Sequence, residues 1–242
     1  IRAGDLNKDG MNDLAITTTE APERLLILNG NGAAGFSEPV NINTGPSPTA
    51  LAIADFNGDG LSDLAVGAGP LTPPDPTQSN YSLTIHLSDG AGGFAAPRSF
   101  GFRTKPGSFP SQIEVGNFNG DGNLDLAVMG SNGPVIIFTG DGSEGFNIST
   151  LSDVGLPGMM ATGDFNGDLK TDLAVSQSGI FGNATTLIYV STTTGMLQPL
   201  QPINLGRLLF ATDIDGDGKS DLVLEGGSNQ SSIIVLYAID DG

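Results

Sequence analysis

The chain has 242 residues, with 27 acidic side chains against 9 basic ones, a formal net charge of −18, one histidine and no cysteine. This balance argues against a nucleic-acid backbone or an anionic membrane surface as partner and makes cations the natural one, while the missing thiols exclude disulfides, zinc-thiolate sites and cysteine nucleophiles. No apolar run approaches the roughly 18 residues that insert across a bilayer, and the opening IRAGDLNKDG lacks a basic segment followed by an apolar one, so the chain reads as processed or as an excerpt.

In chain order, the first element is an acidic loop, DLNKDGMNDLAI from Asp5. It returns as DFNGDGLSDLAV from Asp55, NFNGDGNLDLAV from Asn117, DFNGDLKTDLAV from Asp164 and DIDGDGKSDLVL from Asp213. The starts lie 50, 62, 47 and 49 residues apart, the period of a repeat array. Each period carries a short apolar segment before the loop (50–54, 112–115, 159–162, 208–211) and another inside it (64–66, 126–128, 173–175, 222–224). A third follows a variable connection, from Leu25, Leu83, Val135, Leu187 and Ile233, and a fourth follows a Gly-rich turn, from Gly35, Gly93 and Gly145. Short runs bounded by Gly, Asn, Asp and Ser, with no sustained 3.6-residue period, predict strands.

The expected fold is therefore all-β, in four-stranded antiparallel blades. One such meander cannot bury both faces, and radial repetition solves that by packing each sheet on the next, which points to a β-propeller. The blades run approximately 1–46, 47–107, 108–155, 156–205 and 206–242, in a single domain or fragment whose first and last blades are incomplete. A β-sandwich would explain the strands but not one loop chemistry five times.

Within each loop, oxygen side chains fall at positions 1, 3, 5 and 9, and glycine stands at position 6 in all copies but the fourth. That spacing curls a loop around a hard cation, with the carbonyl of position 7 as a further donor. Calcium, which takes about 6–8 oxygens in flexible geometry, suits it better than magnesium. The expected ligands are Asp5, Asn7, Asp9, Met11 and Asp13; Asp55, Asn57, Asp59, Leu61 and Asp63; Asn117, Asn119, Asp121, Asn123 and Asp125; Asp164, Asn166, Asp168, Lys170 and Asp172; and Asp213, Asp215, Asp217, Lys219 and Asp221. Met11, Leu61, Asn123, Lys170 and Lys219 serve through the backbone carbonyl. An EF-hand would need a bidentate Glu at position 12, which here is Ile16, Val66, Val128, Val175 or Leu224, so the ninth-position Asp closes the site. The competing reading is that Asp- and Gly-rich turns cap hairpins without metal, but the clustered carboxylates would then repel one another. Fifteen of the 27 acidic residues sit at these positions, and five divalent ions would bring the net charge to roughly −8. The fifth loop, with four carboxylates, should bind tightest and the third, with Asn117, more weakly; Leu169 strains the fourth, where the turn wants φ > 0.

These loops, with the downstream GDGxxGF-type turn, resemble the FG-GAP or VCBS repeats of integrin α-subunit propellers and bacterial surface proteins. The resemblance implies calcium between the first two strands of each blade, a secreted or cell-surface setting, and ligand recognition or adhesion. It also implies about seven blades, so further blades from the same or another chain are expected.

In an up-and-down blade, the Gly-rich turns between the third and fourth strands share a face with the acidic loops, while the connections between the second and third strands and from one blade to the next share the opposite face. The longest, GAGPLTPPDPTQSNYS from Gly67, and GFRTKPGSFPSQ from Gly101 offer Tyr81, Phe102, Arg103, Lys105 and Phe109 as a basic and aromatic cluster for an extracellular protein or glycan. The competing reading makes the same aromatics packing between blades. Strand alternation predicts that His86 points outward, and sequons at Asn80, Asn147, Asn183 and Asn229 are close to the number chance supplies. With one histidine and scattered free carboxylates such as Glu114, Glu144 and Glu225, no catalytic constellation stands out, so a binding module is favoured over an enzyme. A carbohydrate-active enzyme (a polysaccharide lyase or hydrolase) or its accessory domain is the alternative, and a calcium-stiffened spacer a third reading.

Overall fold

The computed structural model describes residues 1–18, 24–33, 35–69, 79–104, 108–143, 145–151, 155, 157–177, 184–192, 196–226 and 232–238. All regular structure among them is β-strand, in five sheets whose strands follow chain order. The first sheet holds β1 (Arg2–Gly4), β2 (Asp13–Thr18), β3 (Arg24–Leu28) and β4 (Val40–Ile42); the second, β5 (Pro48–Ala54), β6 (Asp63–Ala68), β7 (Ser79–His86) and β8 (Arg98–Thr104). The third holds β9 (Pro110–Gly116), β10 (Asp125–Gly130), β11 (Val135–Gly140) and β12 (Phe146–Thr150), and the fourth β13 (Pro157–Gly163), β14 (Asp172–Gln177), β15 (Thr185–Ser191) and β16 (Leu197–Pro199). The fifth has three strands among the described residues, β17 (Gly206–Thr212), β18 (Asp221–Gly226) and β19 (Ser232–Leu236). Neighbours pair antiparallel, as in β6 with β7, where Leu64 faces His86 and Ala68 faces Ser82.

The chain forms two compact units, Ile1–Ile113 with Gly140–Phe146, and Glu114–Thr139 with Asn147–Gly242. In the first, Leu6, Ala15, Leu25 and Ile27 of the first repeat pack on Leu51, Leu64 and Val66 of the second. In the other, Phe118, Ala127, Met129, Val135 and Ile137 of the third repeat pack on Met160, Leu173, Val175, Leu187 and Tyr189 of the fourth. Ala161, Ala174 and Ile188 of the fourth meet Leu208, Leu222 and Leu224 of the fifth.

The Asp-Leu-Ala-Val run follows from this stacking. In β14 the branched residues Leu173 and Val175 point at the preceding sheet and Ala174 at the following one, because successive strand residues face opposite sides. Every residue of β6 and β10 is buried, and after the leading aspartate both strands are apolar, as a strand covered on both faces tends to be. Proline stands first in β5, β9 and β13, where its missing N–H breaks no interior ladder bond.

His86 departs from the outward position that alternation predicts. It is 1% exposed, because successive residues from Tyr81 to His86 of β7 are all buried, on both faces and not on one. Its Nε2 lies 3.3 Å from Thr84 Oγ1, the Phe94 ring meets it edge-on at 6.4 Å, and burial pushes its pKa down to about 4.

Candidate metal-binding loops

The acidic loops join the first two strands of all five sheets, and the ninth-position aspartate of each is the first residue of the second strand: Asp13, Asp63, Asp125, Asp172 and Asp221. In the second repeat, Asp55 accepts hydrogen bonds from Gly58 N (2.7 Å), Asp59 N (3.1 Å) and Gly60 N (2.8 Å). Asn57 Oδ1 accepts from Asp59 N at 3.1 Å, and Asp59 Oδ1 from Leu61 N at 2.8 Å. The oxygens at positions 1, 3 and 5 are thereby all turned toward the loop's own backbone. The fourth repeat repeats the pattern, with Asp164 accepting from Gly167, Asp168 and Leu169 N and Asp168 Oδ1 from Lys170 N. Asn117, with one oxygen to offer, takes a single loop amide, Gly120 N at 2.9 Å.

This curl needs left-handed backbone at two places. Position 6 is Gly10, Gly60, Gly122 and Gly218 with φ of 80–93°, and Leu169 holds 65° in the fourth copy, the conformation its position demands. Position 4 is equally left-handed, at Gly58, Gly120, Gly167 and Gly216, and Lys8 adopts φ 61° there in the first copy. The glycine recurring at position 4 was the signal for this second constraint.

The ninth aspartate is a buried anchor as well as a loop oxygen. Asp63 Oδ2 accepts from Phe56 N at 2.9 Å and Oδ1 from Ser88 N at 2.8 Å. Asp13 takes Leu6 N and Gly30 N, Asp172 takes Phe165 N and Ser191 N, and Asp221 takes Ile214 N and Ala238 N. Burial raises the pKa of Asp63, and that of Asp172 to about 6, against the lowering effect of these amides; the neighbouring loop carboxylates add to the rise.

The donor set suits a hard cation, since it is all oxygen and each carboxylate retains lone pairs beyond its amide bonds. In the fifth loop, carboxylate oxygens of Asp213, Asp215 and Asp221 lie within 4.8 Å of one another, a grouping able to hold a metal ion. Lysines flank the last two loops, with Lys170 Nζ 3.0 Å from Asp168 Oδ2 and Lys219 Nζ 3.4 Å from Asp217 Oδ2. The side chains of Met11, Leu61 and Asn123 stand at the matching position of the other three.

Of the five residues expected at a ligand face, Tyr81 and Phe102 are 4% and 6% exposed and pack ring on ring at 6.2 Å, opposite each other in register. A Cβ at Gly69 would collide with the Tyr81 ring, so both aromatics are packed side chains of the second sheet. Arg103 is exposed, Phe109 is 48% exposed, and Lys105 lies outside the described residues. The sequons at Asn183 and Asn229 also fall outside them.

Five repeated antiparallel sheets, each headed by one acidic loop, define a class of all-β repeat protein. The sequence pattern of the FG-GAP-like repeat family matches residues 5–66 and 117–175, together half of the chain, and the chain belongs to that family. No curated protein matches it. Among solved structures it is similar to the rhamnogalacturonan lyase YesW, at 15% identity and a TM-score of 0.47, covering 84% of this chain and 48% of that one. It is also similar to the V. cholerae biofilm matrix protein Bap1, at 16% identity and a TM-score of 0.37, covering 83% of this chain and 38% of that one. The chain thus spans about half the length of the first and less of the second. No helix among the described residues is long and apolar enough to cross a membrane.

Proposed function

We propose that this chain is a calcium-stabilised repeat module of the β-propeller type, working outside the cell as a ligand-binding or adhesion element. The observation that carries the reading is the acidic loop itself, repeated at the same place in all five sheets, each time ending on a buried aspartate, with the carboxylate oxygens of Asp213, Asp215 and Asp221 within 4.8 Å of one another in the fifth. In each loop, the residues at positions 1, 3, 5 and 9 and the carbonyl of position 7 would hold the ion, as in Asp213, Asp215, Asp217, Asp221 and Lys219. Bound calcium supplies the positive charge that offsets carboxylate repulsion. The chain's own contribution is to hold those carboxylates ionised and close together, against the rise in pKa that burial imposes on Asp63 and Asp172.

Calcium bound only by the folded chain stabilises it by mass action. Thermal melts in calcium should therefore exceed melts in chelator by many degrees, with magnesium giving a smaller gain; identical melts would sink the reading. The reading is one of binding and shape; buried His86, with its pKa lowered to about 4, is given no role in it. Ligand contact is assigned to Arg103 and Phe109, which are exposed, with Lys105 between them in sequence. Replacing Arg103 and Phe109 by alanine should reduce binding on glycan and matrix-protein arrays with an unchanged melting temperature.

A further inference from the structure

Two buried serines tie neighbouring acidic loops together. Ser88 ends the third strand region of the second repeat, and its N–H donates to Asp63 Oδ1 at 2.8 Å. Its hydroxyl accepts from Gly90 N at 3.1 Å and donates to the carbonyl of Leu6, in the loop of the first repeat, at 3.0 Å. Leu6 N in turn donates to Asp13 Oδ2 at 2.9 Å. A continuous run of hydrogen bonds thus joins the ninth-position carboxylates of the first and second loops.

The third and fourth repeats carry the same relay. Phe118 N donates to Asp125 Oδ2 at 2.7 Å, Ser191 Oγ donates to Phe118 O at 2.8 Å or to Thr171 O at 2.6 Å, and Ser191 N donates to Asp172 Oδ1 at 2.8 Å. Thr171 Oγ1 also accepts from Asn117 N, the first residue of the third loop, at 3.2 Å. The equivalent residue is Gly30 in the first repeat and Ala238 in the fifth; each gives its N–H to the aspartate but has no hydroxyl to pass on. The relay is therefore a property of two positions and not of the fold in general.

We infer that the first and second loops, and likewise the third and fourth, take up cations as coupled pairs, with Ser88 and Ser191 as the positioning residues that transmit the coupling. The inference rests on the calcium reading above. Filling one loop fixes the peptide groups around its ninth aspartate. That fixes the serine hydroxyl and with it the neighbour's aspartate, so the second ion meets a loop whose ordering is already complete.

The test is a calcium titration of the whole chain followed by NMR at the amides of Gly10 and Gly60, which donate to Asp5 Oδ2 and Asp55 Oδ2 at 2.9 and 2.8 Å and so report each loop separately. Asp55→Asn, which weakens the second loop, should raise the calcium midpoint at Gly10 by about fivefold or more. In a Ser88→Ala or Ser88→Gly background, that effect of Asp55→Asn should vanish while Gly10 still titrates. Alanine and glycine are the residues the chain itself places at this position in other repeats, so the local turn accommodates both. A Gly10 midpoint indifferent to Asp55→Asn with Ser88 intact, or an effect that survives loss of the hydroxyl, overturns the coupling and leaves calcium binding standing. Absence of any calcium-dependent shift at either glycine overturns the calcium reading itself.

Discussion

Leu169 and Lys8 hold left-handed backbone, at φ 65° and 61°, where the other copies of the loop place glycine. A side chain in that conformation costs about 1–2 kcal/mol, part of which glycine would give back as unfolded-state entropy. Leu169→Gly and Lys8→Gly should each stabilise the calcium-free chain by about 0.5–1 kcal/mol in urea unfolding. The strain at Leu169 was legible because position 6 is glycine in every other copy; Lys8 is read the same way once position 4 is seen to matter. The ninth aspartate shows the limit of such comparison. Spacing marks it as an oxygen donor, yet its acceptance of two backbone amides depends on where Phe56 and Ser88 lie in space. Asp63→Ala should cost about 3 kcal/mol in the absence of calcium, since two buried N–H groups lose their partner. A cost near zero would remove the anchoring role of Asp63.

At the scale of the element, the strands carry their packing in their composition, but not the number of faces they bury. Leu64, Ala65 and Val66 announce a strand, and the alanine announces a close neighbour on one side. His86 misled because alternation assumes one wet face, and Tyr81 to His86 of β7 have none. Its burial has a consequence in acid. The folded pKa of about 4 lies below the ordinary 6.5, so the unfolded chain takes up the proton first. The stability contributed by the neutral imidazole is complete above pH 6.5 and is lost as the pH falls toward about 4. In chelator, the wild-type chain should lose more stability between neutral pH and about pH 4.5 than His86→Leu does, measured by urea unfolding at each pH. Parallel losses would place the acid sensitivity elsewhere. Tyr81 and Phe102 illustrate the same point, since a basic and aromatic stretch reads as a binding face until the pairing of β7 with β8 turns both rings inward.

Across the whole molecule, the net charge of −18 is concentrated in the loops that begin each sheet's second strand. Self-repulsion on that scale destabilises a compact chain, and salt screens it over a Debye length of about 8–10 Å. The calcium-free chain should therefore melt at rising temperature as sodium chloride is added, and the calcium-loaded chain should respond less. Equal salt responses would mean that the loop carboxylates are not the source of the strain. The sequence by itself determined the repeat, the strand grammar, the family and the recurrence of oxygen side chains in each loop, because each is written in residue type and spacing along one chain. Only the tertiary structure decided which oxygens also anchor backbone amides and which strands are dry on both sides. It alone brought Ser88 to Leu6 and Ser191 to Phe118, contacts between residues 82 and 73 positions apart that no local period encodes.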